Sequence, residues 1–205
     1  MRKLILVAHA TLDGFVAGPK GELDGFSAGD ENLEFVCRLT DDADAALFGR
    51  ISYELLDSYW PTAKDRAGAT KSEIEYSTWY NHAEKIVFSK TLTERKNNTT
   101  IISNNISNAI IKIKQQPGKN ILIFGSPTVS QLLMQLNLID SCRIFINPII
   151  FGRGIPLFTS SSNQIKLKLL DVKQFSNGEV ALNYSCNRKN DIISGNNDDD
   201  AMSVV

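Results

Sequence analysis

Asn120-Ile121-Leu122-Ile123-Phe124-Gly125-Ser126-Pro127-Thr128-Val129 is a strand that turns at a single glycine straight into a helix. Ile121 to Phe124 form a short unbroken apolar run, the pattern of a strand covered on both faces. Gly125 accepts backbone angles closed to other residues, Ser126 suits a helix cap, and Pro127 suits the first helical position, where its missing N–H is no loss. Val129, Leu132, Leu133 and Leu136 then recur at helical spacing, so the helix is amphipathic and lies back on the sheet. Its N-terminus carries unpaired N–H groups and the positive end of the helix dipole, which favour an anion such as a phosphate. An ordinary strand-to-helix turn would read the same way, since one glycine is weaker than a full glycine-rich fingerprint.

Working outward, the same device recurs. Asp44-Ala45-Ala46-Leu47-Phe48 reads as a strand that Gly49-Arg50-Ile51-Ser52 turns into a helix, and the two turns together suit the phosphates of a dinucleotide. Leu4-Ile5-Leu6-Val7-Ala8 is another buried strand, delivering His9, Thr11, Asp13 and Gly14 to the end where ligands of open α/β sheets gather. The Asp13-Gly14 turn and Gly18 predict a loop holding a short strand. Leu33, Phe35, Val36 and Leu39 predict a helix whose polar side carries Asp30, Glu31 and Glu34. Further helices are expected around Glu73 to His82 and over Ile106–Gln115. The strand Lys85-Ile86-Val87-Phe88 ends in Ser89 and Lys90, a hydroxyl and a cation suited to a ribose phosphate. Residues 165–175 and 179–186 alternate around Ser176-Asn177-Gly178, so the sheet finishes as an antiparallel hairpin.

Composition narrows the class. The chain has 205 residues, enough for one domain with a sizeable core, and its 42% hydrophobic and 22% charged content is that of a globular protein. The formal net charge of −1, with 22 basic residues scattered among 23 acidic ones, argues against nucleic acid as a partner. No apolar run approaches the roughly 20 residues of a membrane span, and Asp13 interrupts the first strand too early for a signal peptide. A cytoplasmic protein is expected, with Cys37, Cys142 and Cys186 as free thiols and no metal site. From Asn187 onward the chain is polar, with Asp198, Asp199 and Asp200 in a row; residues 187–205 are expected to be a disordered tail after a domain of residues 1–186.

Taken in order, several stretches resemble the dihydrofolate reductase-like fold, and most closely the reductase domains related to the C-terminal part of bacterial riboflavin-biosynthesis deaminase-reductases. They are Thr11-Leu12-Asp13-Gly14-Phe15-Val16-Ala17, residues 44–53, Phe124-Gly125-Ser126, Leu138-Ile139-Asp140, Pro148 and residues 151–158. The resemblance implies a three-layer α/β fold, a mostly parallel central sheet, NADPH as cofactor and a homodimer. It implies that Gly49, Arg50 and Ser52 hold cofactor phosphates, with Ser89 and Lys90 near the adenosine 2′-phosphate. Gly125, Ser126, Pro127, Thr128 and Val129 would take the pyrophosphate, and Ala8, Ala17 and Gly18 would line the nicotinamide. Alignment with dihydrofolate reductases proper puts Glu31 nearest their acidic substrate residue; Glu31 and Asp13 are the candidate catalytic carboxylates. Two positions depart from the riboflavin-pathway pattern: Phe124 replaces a glutamate and Val7 a lysine. The implied activity is hydride transfer to a small heterocycle, a pterin or a 5-amino-6-(5-phosphoribosylamino)uracil-like pyrimidine. The competing expectation is a nucleotide-binding or dimeric scaffold that keeps the fold without catalysis.

Overall fold

The computed structural model describes residues 1–26, 29–93, 96, 98–159 and 164–186; the expected tail lies outside them. Eight strands form one sheet in the order β5 (Thr99–Ile102), β4 (Glu84–Phe88), β3 (Ala43–Gly49), β6 (Asn120–Phe124), β1 (Leu4–Thr11), β7 (Ser141–Asn147), β10 (Val180–Cys186), β9 (Leu167–Gln174). The first six run parallel, β10 pairs antiparallel to β7, and β9 pairs antiparallel to β10. This is the expected α/β fold with its C-terminal hairpin. A small second sheet joins β2 (Phe15–Ala17) to β8 (Ile155–Pro156), antiparallel.

The layers follow from strand parity, because successive side chains point to opposite faces. Leu4, Leu6 and Ala8 of β1 pack with Ile121 and Ile123 of β6 under α5 (Ile106–Gln115) and α6 (Pro127–Gln135), which contribute Ile110, Val129, Leu133 and Met134. Ile5 and Val7 face the other way, joining Leu122, Phe48 and Phe124 under α1 (Asp30–Thr40) and α4 (Lys71–His82) through Val36, Cys37, Tyr76 and Tyr80. Two shorter helices, α2 (Arg50–Asp57) and α3 (Trp60–Ala63), complete this layer. Thr70 caps α4 in a reciprocal capping box with Glu73, starting the helix at Lys71.

Candidate functional site

Strands β3 and β6 are neighbours in register, Leu47 opposite Ile123, so both parallel strands end at one level. Each passes at once into a helix, and the two helix N-termini therefore stand side by side. Neither is closed by a side-chain cap. The Gly49 N–H donates to Ser126 Oγ at 2.8 Å and the Ser126 N–H donates to Ser52 Oγ at 3.2 Å, tying the two turns together. Ser126 thus holds the cap position without capping: its φ of 47° turns the hydroxyl away from its own helix and toward Gly49. Gly125 has φ 56°, and a Cβ built on it meets only Ser52 Oγ, at 3.8 Å. At Gly49 a Cβ would crowd Val129 Cγ2 at 3.2 Å. Two adjacent uncapped N-termini with an open glycine between them form a cradle whose N–H groups and dipoles suit an anion. Pro127, Thr128 and Val129 form the first turn of α6.

The other expected cofactor residues spread along the same edge of the sheet. Arg50, at the mouth of α2, is half-exposed and its guanidinium rests on Glu54 at 2.8 and 3.0 Å. Ser89 Oγ accepts the N–H groups of Thr91 and Leu92 at 3.1 and 2.9 Å, shaping the turn after β4. Lys90 lines an open cavity of about 410 Å³ with Ser103, Asn104, Asn105, Ser107 and Leu136. Ala8 and Ala17 are buried, and Gly18 packs against Glu22. From β4 to β1 is three strand spacings, roughly 14 Å at ~4.8 Å each, a span for an elongated ligand with its anionic centre at the cradle.

Both candidate carboxylates are held in hydrogen bonds of their own. Asp13 accepts Thr11 Oγ1 at 2.6 Å and the N–H groups of Phe151 and Gly152 at 3.2 and 2.8 Å, clamping the β1–β2 loop to the turn before β8. The Thr11 hydroxyl above all, with these amides, holds its pKa below the ordinary carboxylate value. A depressed folded-state pKa contributes stability above the unfolded value, and that contribution is lost as pH falls through the lowered one. The stability deficit of Thr11→Val in urea melts is accordingly expected to narrow on acidification; a constant deficit would refute the clamp's electrostatic role. Glu31 accepts the Ser176 N–H and hydroxyl at 3.0 and 2.9 Å and faces Lys173 at 3.3 Å, bonds that also lower its pKa, Ser176 foremost. Asp30 takes the Thr70 hydroxyl and Glu34 pairs with Arg38.

The inward residue of that helical turn is Asn32, 3% exposed, with both amide atoms unpartnered among the described residues. Its signal in the sequence was position, not charge: Asn32 shares a helix face with Phe35 and Val36. At the ends of β1, β7 and β10 stand three further residues that the sequence reading did not combine. His9 Nδ1 lies 2.7 Å from Glu179 Oε1, and Asn147 Nδ2 donates to the same oxygen at 2.8 Å. Phe124, where a carboxylate was the family expectation, instead packs in the core against Phe48, Tyr76 and Trp79.

The RibD C-terminal domain family matches residues 2–181. The chain is 34% identical over 186 residues to the uncharacterized protein YyaP of Bacillus subtilis (strain 168), covering 91% of this chain and 96% of that protein. Among solved structures it is similar to a diaminohydroxyphosphoribosylaminopyrimidine deaminase/5-amino-6-(5-phosphoribosylamino)uracil reductase from Thermotoga maritima, with TM-score 0.64 and 20% identity over 90% of this chain and 56% of that one. It is similar also to dihydrofolate reductase from Enterococcus faecalis complexed with NADP(H), with TM-score 0.62 and 12% identity over 91% of this chain and 97% of that one.

Proposed function

The chain belongs to the RibD C-terminal domain family, and from that premise we propose that it is an NADPH-dependent reductase passing hydride to a small conjugated heterocycle, a pterin or a 5-amino-6-(5-phosphoribosylamino)uracil-like pyrimidine. The observation that carries this reading is the cradle of two uncapped helix N-termini, joined through Gly49, Ser52 and Ser126. The pyrophosphate would rest there, with Arg50 at its rim, Lys90 toward the adenosine end, and Ala8, Ala17 and Gly18 toward the nicotinamide. NADPH supplies the hydride; the protein supplies orientation and electrostatics. The buried amide of Asn32 offers one donor edge and one acceptor, which suits the lactam edge of a pterin or pyrimidinone ring.

The test is consumption of NADPH, followed at its absorbance, with 7,8-dihydrofolate, 7,8-dihydrobiopterin and 5-amino-6-(5-phosphoribosylamino)uracil. Turnover of one of them supports the reading, and no cofactor binding at all would overturn it. Binding without turnover would favour a catalytically silent nucleotide-binding protein, a reading supported by the apolar Val7 and Phe124. Arg50→Ala is expected to weaken NADPH by about tenfold, the lower end for a charge-assisted contact because the guanidinium is half-exposed. Equal dissociation constants for parent and variant in a fluorescence titration would remove Arg50 from the site.

We also propose a homodimer. A bulge at Leu170 keeps Leu167, Leu169 and Val172 of the edge strand β9 on one face with Leu182 and Tyr184, and Leu169 is 50% exposed. An apolar edge of this kind invites pairing with a second copy. Leu169→Lys is expected to shift sedimentation from dimer to monomer; a parent that sediments as a monomer would refute the proposal.

A further inference from the structure

We propose that His9 delivers the proton in the reduction, with Glu179 and Asn147 as the residues that position it; this rests on the reductase reading above. Parity along β1 sends His9 to the same face as Ile5 and Val7, beneath α1. There its imidazole lies flat on Phe145, ring centroids 4.5 Å apart and 14° from parallel, while Phe35 of α1 meets Phe145 edge-on at 5.8 Å. Asn32 is one turn before Phe35 on the inward side of α1, so the imidazole and the unpartnered amide flank one region.

The carboxylate behind the imidazole is the telling feature. Glu179 is 0% exposed, its Oε1 is shared by His9 Nδ1 and Asn147 Nδ2, and its Oε2 has no partner among the described residues. Sequestering a carboxylate from water in this way is costly unless it is paired. Its one basic partner among the described ion pairs is His9. The other face of His9 reaches solvent, with a side chain 38% exposed, and its Nε2 makes no hydrogen bond among the described residues. One nitrogen is thus fixed by a buried acid while the other is free at the ligand-bearing end of β1.

The proton inventory fits a donor. With one proton in the Nδ1···Oε1 bond, the second proton of the charged or uncharged pair sits on Nε2. Transfer breaks the Nε2–H bond, leaves its electron pair on Nε2 and forms an N–H bond on the heterocycle. The hydride, with its two electrons, comes to the adjacent ring carbon from NADPH, leaving NADP⁺. The heterocycle gains H⁻ and H⁺, His9 is left neutral as its Nδ1–H tautomer against the Glu179 carboxylate, and solvent returns the proton. Glu31 and Asp13 do not compete for this role, since their oxygens are engaged by Ser176 and Lys173 and by the loop amides.

The experiment compares parent, His9→Ala, His9→Gln and Glu179→Gln, each checked for folding by circular dichroism, with whichever of the three heterocycles the parent reduces. Both His9 variants are expected to bind NADPH within about threefold of parent and to lose about 100-fold or more in kcat, the scale of general acid catalysis. Added imidazole should restore part of the His9→Ala rate. The chain has two histidines, so ring ¹⁵N spectra of the cofactor-free protein resolve His9 against His82; Glu179→Gln should change the His9 tautomer balance alone. A kcat retained within about threefold in folded, NADPH-binding His9 variants, or a His9 ring unaltered by Glu179→Gln, overturns the proposal while leaving the reductase reading standing. A parent that reduces none of the heterocycles overturns both.

Discussion

Gly125→Val is expected to abolish NADPH binding while leaving the domain folded. At φ 56° a branched residue is strained, at a cost of roughly 1–3 kcal/mol. The protein itself leaves room, since only Ser52 Oγ lies within 4 Å of the added Cβ. What the side chain would occupy is the space in front of the two helix N-termini, where the pyrophosphate would approach the backbone too closely for any Cβ. Loss of binding by about 100-fold or more, some 2.7 kcal/mol, should therefore accompany near-native circular dichroism. A folded variant with the parent's dissociation constant would refute the cradle. Gly125→Ala is the graded control, with the same backbone region and a smaller obstruction.

Lys114→Met is expected to give the largest loss of stability with no loss of cofactor affinity. Lys114 lies on α5 but points inward, 2% exposed, donating to the Leu138 carbonyl at 2.9 Å and to Asp140 Oδ2 at 2.5 Å. The same Asp140 oxygen accepts the Leu4 N–H at 2.7 Å, so one ion pair joins α5, β1 and the segment before β7. Methionine keeps the stem's volume and removes the ammonium that Asp140 meets at 2.5 Å. Breaking a buried pair costs about 3–5 kcal/mol, and because Asp140 keeps some solvent contact the lower end applies. At roughly 2–4 °C per kcal/mol for a chain of this size, the melting temperature should fall by about 6–12 °C. The pair sits at the N-terminal ends of the parallel strands, remote from the cradle. A variant that melts with the parent would show that Asp140 resolvates at no cost.

The backbone of the cradle was legible in the sequence. Apolar runs ending in glycine announce buried strands, and Pro127 just after Gly125 announces a helix, because each reports a local conformational preference. The Ser176-Asn177-Gly178 turn likewise specified the antiparallel ending of the sheet, as β9 and β10 confirm. Local preference does not say where a side chain points once the layers close. Ser126 reads as a cap, yet it bonds across to Gly49 because β3 and β6 are neighbours, which no local signal reports. Lys114 is buried by the meeting of α5 with the chain before β7, which helical periodicity alone does not report.

The polar cluster at the end of β1 was hidden for the same reason. Glu31 stands out as a carboxylate on the expected helix, but the hairpin folds back and occupies it through Ser176 and Lys173. Asn32 carries no charge to attract notice, and its burial depends on which face of α1 meets the sheet. His9 of β1, Asn147 of β7 and Glu179, the residue before β10, are 138 and 32 residues apart in turn along the chain. Sequence by itself determined the strands, the glycine turns and the parallel sheet, since those rest on periodicity and on backbone angles. Only the tertiary structure decided which polar groups meet at the end of β1, because that depends on the order β6-β1-β7-β10 in which distant strands lie side by side.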